Sequence, residues 1–409
     1  MGSYPIGQNL SDIAGNGYDR SLNTFGYTLP NVLNGLGYKT AYVHSHTTEF
    51  YNRADTHNNI GFDKVFGKND IVDTTGNQKY TGDDLKFHHW MREADFVEEA
   101  MDVIVPYDAM EENSPFYTFY LNVSSHGNYD YNENNGDHVK YRDVVIYGKE
   151  NCELDENGNY QLKEDFNEKE VYSNFYRNLI KNYGKNPQFC EYAINYQCAV
   201  MGLDEGIGKI INKLKEYGIY NNTTMILYSD HYAYYNGLTY DIKGFSSNDV
   251  ENIIELDTIP FILSSPGLKA VNADSANEYD YTEYELFCSA YDVVPTVLDL
   301  LGISFNQNFY AGSSLFKNYE SYSVSINGET QYAPVKVYYS NVGGIYSQYA
   351  YTGDLVNFNM VKNATISEND KNTLKTEAIS TVTKLYYISI LNKNALFTKL
   401  TNNQFVQAV

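Results

Sequence analysis

No window of about 18 consecutive apolar residues occurs in the 409-residue chain, so no stretch of it reads as a membrane-spanning helix. Basic residues are scarce: 29 Lys and Arg stand against 52 Asp and Glu, a formal charge of −23. Without a strong basic cluster, and none is visible, a nucleic acid or an anionic membrane would be repelled. Cysteine is limited to Cys152, Cys190, Cys198 and Cys288, with no CxxC spacing, which argues against a zinc knuckle or a thioredoxin-like motif. Cys190 and Cys198 fall on one helical stretch, roughly 12 Å apart at about 1.5 Å per residue, too far to bridge. The opening MGSYPIGQNL has neither the basic start nor the apolar core of a signal peptide, and Ile6 breaks the myristoylation pattern. Internal repeats and long low-complexity tracts are also missing.

What is present is length, tyrosine and alternation. The 42 tyrosines, with abundant asparagine, suit a polar surface in carbohydrate or wall-polymer surroundings, and a compositionally biased genome explains them equally well. YTLPNVLNGLGYKTAYVHS, from Tyr27, predicts a short helix stopped by Gly37 and a strand over 39–44. A second helix-to-strand unit follows in 94–107 and 114–127, the strand closing on Ser124, Ser125 and His126. The third has a helix over 195–219 with Val200, Leu203, Ile207, Ile210, Ile211 and Leu214 on one face, then a buried strand over 223–231. A strand over 258–267 and a helix over 289–303 continue the pattern. Helices alternating with strands predict an α/β fold with a mainly parallel central sheet covered by helices on both faces. Residues 128–190 form a long polar insertion, read as an elaborated surface loop with short helices, a lid or decoration. The expected division is an α/β catalytic domain over 1–305 and a small α+β subdomain over 306–409, its short strands followed by a helix near 367–390.

Ligands of such sheets gather outside the carboxyl ends of the strands, and three predicted strands end in His44, in His126 and in Asp230-His231. An Asp-His pair offers a carboxylate oxygen and an imidazole nitrogen in one frame, a mixed set suited to Mn²⁺ or Zn²⁺. Taken alone, a DH dipeptide is most often a polar strand-to-loop junction; here its company distinguishes it. AYVHSHTTEFYNRAD, residues 41–55, adds His44, Tyr51 and Arg53: a proton donor or relay, an aromatic wall, and a planar donor fork matched to phosphate or sulfate oxygens.

These residues resemble the extracellular domain of lipoteichoic acid synthases, within the sulfatase and alkaline phosphatase superfamily. The likeness runs through GLGYKTAYVHSHTTEFYNRADTHNNIGFDKVF, FYTFYLNVSSHGNYDY, LDEGIGKIINKLKEYGIYNNTTMILYSDHY and YDVVPTVLDLLGI, in that order, and covers about residues 1–320. It implies that Asp230 and His231 bind one Mn²⁺, ahead of Mg²⁺ or Zn²⁺, and that His44, Tyr51, Arg53 and His126 bind the glycerol phosphate group. Tyr51 departs from the family's usual tryptophan, which leaves the headgroup preference open. The implied reaction is metal-dependent phosphoglycerol transfer from a phosphatidylglycerol-like lipid to a cell-envelope polymer through a covalent intermediate, on the extracellular face of a bacterial cytoplasmic membrane.

In the family a metal-binding glutamate and a nucleophilic threonine lie upstream of the stretch aligned with SYPIG, so the nucleophile threonine is expected to be absent and the chain inactive alone. Membrane attachment would come only through segments outside this sequence. Thr47, Thr48, Ser124 and Ser125 lie near the pocket but not at the nucleophile's position. His46, His57, His88, His89 and His138 read as surface residues or neighbours of the ligands. Sequons at Asn122, Asn222 and Asn363 read as accidental. Two alternatives stand beside the transferase: a catalytically silent envelope-polymer binding module and a related sulfo- or phospho-ester hydrolase.

Overall fold

The computed structural model describes residues 25–86, 91–106, 114–129, 136–166, 171–183, 187–233, 238–239, 258–267, 287–339, 345–352, 357–361 and 363–393. Helix α1 (Leu29–Gly35) starts on a proline in its first turn and ends before Gly37, whose φ of +87° turns the chain back at little cost for a residue without Cβ. Strand β1 (Lys39–His44) follows, buried from Thr40 onward. Its neighbours are β2 (Lys64–Phe66) and β3 (Phe116–Leu121), both parallel to it, in the order β2-β1-β3. Successive β1 side chains enter different cores. Tyr42 packs with Leu33, Phe62, Val294 and Leu298, while Val43 packs with Phe96, Val97, Ile104 and Leu214. Burial on both faces is what a parallel strand between helical layers requires.

Helix α2 (Arg53–Asn59) links β1 to β2, and α3 (Glu93–Glu99) with the short α4 (Met101–Ile104) precedes β3. The 128–190 segment contains α5 (Gly136–Tyr147), the hairpin strands β4 (Cys152–Leu154) and β5 (Tyr160–Leu162), and α6 (Asn174–Tyr183). These are not a bare loop: Tyr141, Val145, Ile146 and Leu179 share a core with Cys190, Ala193, Ile194 and Cys198 of the 30-residue α7 (Pro187–Glu216). At Gly206 an added Cβ would come within 3.2 Å of Val97 and 3.6 Å of Ala94, so α3 seats closely on α7 there.

Strand β6 (Met225–Tyr228) pairs with β7 (Phe261–Ser264) in antiparallel fashion, a two-stranded sheet of its own. Both β3 and β6 stop short of their expected ends, at Leu121 and Tyr228, so His126 sits in a turn and Asp230-His231 in a bend beyond them. The reason at β3 is local: the His126 N–H bonds back to the Val123 carbonyl at 2.9 Å, closing a turn that a strand could not continue through. Helix α8 (Val293–Leu300) completes the α/β part, capped at its entry by Ser289 and Asp292.

Beyond it, β8 (Ser321–Ile326), β9 (Glu329–Pro334) and β14 (Ala364–Thr365) form one antiparallel sheet. A second is built from β10 (Tyr338–Tyr339), β11 (Ile345–Tyr346), β12 (Ala350–Thr352) and β13 (Asn359–Met360). The long α9 (Glu368–Lys393) contributes Leu374 and Ala378 to their shared core. No helix among the described residues is long and apolar enough to cross a membrane.

Candidate active site

Chain entry into α2 sets the first part of the site. Tyr51 and Asn52 both adopt left-handed backbone, φ 56° and 49°, a conformation that costs a non-glycine residue about 1–3 kcal/mol and persists only where the surroundings impose it. The kink leaves Tyr51 59% exposed, while Arg53, the first residue of α2, lies 5.4 Å from the Phe50 ring centre and 5.7 Å from that of Tyr51. Its Nη1 donates to the Tyr42 hydroxyl at 3.3 Å. Tyr42 is itself fully buried between the His57 ring, 3.7 Å away by centroids, and its cross-strand partner Phe119 at 5.8 Å. The Arg53 Nε is buried and has no hydrogen-bond partner among the described residues.

His44 ends β1 and is 2% exposed. Its Nδ1–H donates to the Leu121 carbonyl of β3 at 2.9 Å, which puts the lone pair on Nε2. That Nε2 is also buried without a partner. Burial holds the His44 pKa well below the ordinary 6.5, with the nearby Arg53 charge pushing the same way. His44 is therefore neutral at neutral pH and meets a ligand as a hydrogen-bond acceptor.

His126 and His231 stand edge to face with ring centres 6.0 Å apart. In each, Nδ1 is tied at 2.7 Å to a following carbonyl, Gly127 for His126 and Tyr232 for His231. The His231 Nε2 is 3.6 Å from the Asp230 carboxylate. Asp230 in turn acts on the rest of the site: after burial, its charge adds to the upward push on the Tyr228 hydroxyl, to about 12, and it raises that of Tyr42 against the opposing pull of Arg53. Contacts gather the expected residues in two groups: His44 and Arg53 both meet Tyr42, at 6.3 Å between rings and 3.3 Å to its hydroxyl, with Tyr51 against Arg53, while Asp230, His231 and His126 adjoin one another.

Asp230 and His231 are the right donor types for a divalent cation, and a carbonyl on the far side of the imidazole is the usual way to aim Nε2 at a metal. They amount to two donors. No group of three or more His, Cys, Asp or Glu side chains able to hold a metal occurs among the described residues. The expected upstream glutamate and threonine concern sequence outside those residues. Among the hydroxyls weighed as substitutes, Thr48 and Ser124 are buried, 6% and 0% exposed, and Thr48 is bound to Asn69 at 3.0 Å. His46 and His57, allowed as surface residues, are 4% and 1% exposed and pack behind the site because Tyr42 and Phe50 cover them. His88 and His89 lie outside the described residues. Sequence reasoning passed over Tyr42 and Glu93. An aromatic in a buried strand and an acid in a helix's first turn look ordinary until their partners across the sheet are seen.

A family model described as Sulfatase matches residues 4–303. The chain belongs to the sulfatase family. Lipoteichoic acid synthase 2 of Bacillus subtilis is 21% identical over 316 residues, 76% of this chain and 37% of that protein. Endo-4-O-sulfatase of Bacteroides thetaiotaomicron is 31% identical over 122 residues, 30% of this chain and 21% of that protein. Among solved structures, the lipoteichoic acid synthase LtaP from Listeria monocytogenes superposes with a TM-score of 0.51 at 19% identity, covering 97% of this chain and 82% of that chain. This sulfatase-family chain therefore has the alkaline phosphatase and sulfatase fold, and it spans well under half the length of the curated synthase it matches.

Proposed function

We propose that this sulfatase-family domain binds and processes esters of glycerol phosphate. The reaction is phosphoglycerol transfer of the lipoteichoic acid synthase kind, from a phosphatidylglycerol-like lipid headgroup to a glycerol phosphate polymer outside the bacterial cytoplasmic membrane. The observation that supports the reading is a buried donor and a buried acceptor, Arg53 Nε and His44 Nε2, each without a hydrogen-bond partner among the described residues. Leaving such groups unpaired costs about 1–3 kcal/mol each, more for a charged one, so a ligand that reached both would gain by satisfying them. An anionic oxygen matches Arg53 and a hydroxyl matches a neutral His44, and a glycerol phosphate ester carries both within one small group. In a molecule of net charge −23, this local cation is what lets an anionic polymer approach.

Asp230 and His231 would hold a divalent cation, Mn²⁺ before Mg²⁺ or Zn²⁺, which when bound supplies charge and Lewis acidity at a phosphoryl oxygen. Arg53 orients the ester by its anionic oxygens, Tyr51 covers it from the solvent side, and His126 stands beside the cation pair. A second reading, envelope-polymer binding without turnover, is favoured by the two-donor count among the described residues. Calorimetry with sn-glycerol 3-phosphate, with and without Mn²⁺, followed by turnover of a chromogenic phosphodiester, separates them. The expected result is binding that falls at least about tenfold in Arg53→Ala, equivalent to about 1.4 kcal/mol. Equal affinity in wild type and Arg53→Ala would reject the assignment, and binding without turnover would favour the second reading.

A further inference from the structure

Behind the site lies a carboxylate that the reading above does not use. Glu93 opens α3 and is 1% exposed. Its Oε2 accepts the Ser124 N–H at 3.1 Å, and its Oε1 accepts the Tyr120 hydroxyl. Ser124 lies two residues before His126, and Tyr120 directly precedes Leu121, whose carbonyl holds His44 Nδ1 at 2.9 Å. Tyr120 is in β3 and stacks on Phe96 of α3 at 6.2 Å and 10°, so both oxygens of one side chain are spoken for by different parts of the chain. Burial is the main cost to the charge there. Asp137, itself 0% exposed, is pushed up to about 8 by burial and then by the charge of Glu93, and the buried Lys68, brought down to about 8 by burial, is the cation whose charge Glu93 supports. An apolar side chain of the same size would fill this space without a desolvation penalty, so what the carboxylate adds is placement of its two partners.

We propose that Glu93 is a positioning residue for the site: from the start of α3 it fixes the turn that carries His126 relative to the strand end that carries His44. The proposal rests on the reading that these histidines flank one ligand. It assigns no chemistry to Glu93, which touches neither ligand nor cation. Glu93→Gln keeps an acceptor for the Ser124 N–H and can donate to the Tyr120 oxygen, so both ties survive. Glu93→Leu keeps the bulk and loses both, and Glu93→Asp, one methylene shorter, cannot span them together.

The test is titration of the intact chain with sn-glycerol 3-phosphate, alongside the ring resonances of His126 and His44 in a carbon-proton correlation spectrum. Expected are wild-type affinity in Glu93→Gln and a loss of about tenfold in Glu93→Leu, with shifted His126 and His44 ring signals that Glu93→Gln restores. Glu93→Asp gives a smaller loss and stands in should the leucine variant fail to fold. Full affinity with unshifted rings in a folded Glu93→Leu or Glu93→Asp would overturn the proposal. If wild type itself does not bind the probe, the reading of the pocket falls, and Glu93 is then judged by the ring signals alone: unmoved rings refute its positioning role.

Discussion

His44 and Arg53 are each made unusual by neighbours far away in sequence. A histidine at a strand end is visible in the sequence, and so is an arginine nine residues later. What the sequence does not carry is the Leu121 carbonyl that fixes the His44 tautomer, or the Tyr42 hydroxyl that holds one arm of Arg53 and leaves Nε unpaired. Charge state followed from burial, which only the packed sheet defines. The same holds for Asp137, a polar residue in a polar insertion that turns out to be sealed against Gly202, where an added Cβ would come within 2.2 Å of its carboxylate. Its pKa is raised from 3.8 to about 8, so between those values the folded protein holds a proton that the unfolded chain has lost. A raised acid stabilises below its unfolded pKa and loses that contribution as pH rises through its folded one. Asp137→Asn, which never ionises, should therefore gain on wild type from about pH 4 upward and level off near pH 8. Urea denaturation at several pH values measures this, and a constant gap would contradict it.

Elements came through more clearly than their edges. The strand over 39–44 matches β1 residue for residue, because a run of apolar side chains between Gly37 and a polar loop permits little else. The helix expected over 195–219 begins earlier, at Pro187, since its first turns are polar outside and gain their apolar face only by packing on the insertion. Strand β3 ends early because a hydrogen-bonded turn takes over where the pattern of side chains alone still reads as extended, and β6 gives way to a bend at 230–231. Glycines show where elements meet. At Gly312 an added Cβ would fall 2.1 Å from the Tyr291 carbonyl and 2.6 Å from the Asp292 N–H, backbone that cannot swing away. Gly312→Ala should cost about 1–3 kcal/mol by prying the 310–316 segment off the start of α8. A thermal melt within error of wild type would show that this junction yields freely.

Across the whole molecule, the C-terminal sheets were expected as a small α+β unit, and its strands, helix and separate core are present. The link between that unit and the α/β part is not legible in the sequence. Asp292, 1% exposed at the entry to α8, accepts the Ser289 and Ser313 N–H groups at 3.0 and 2.8 Å and the Tyr338 hydroxyl, and faces the Lys336 ammonium at 3.2 Å. Lys336 is 6% exposed and also lies 4.4 Å from the Tyr319 ring centre. Removing one partner of a buried pair leaves the other charge uncompensated, so Lys336→Met should lose about 3 kcal/mol, measured by urea denaturation. No loss would mean that the three remaining donors satisfy Asp292 by themselves.

The proposed site reads one ligand twice, by its charge at Arg53 and by its hydroxyl at a neutral His44. The direct test is the ratio of affinities for sn-glycerol 3-phosphate and methyl phosphate, which share the anion and differ in hydroxyls, in wild type and in His44→Ala. Wild type should favour the glycerol ester by about tenfold, and His44→Ala should bind the two nearly alike. A preference that survives in His44→Ala, or none in wild type, would contradict it.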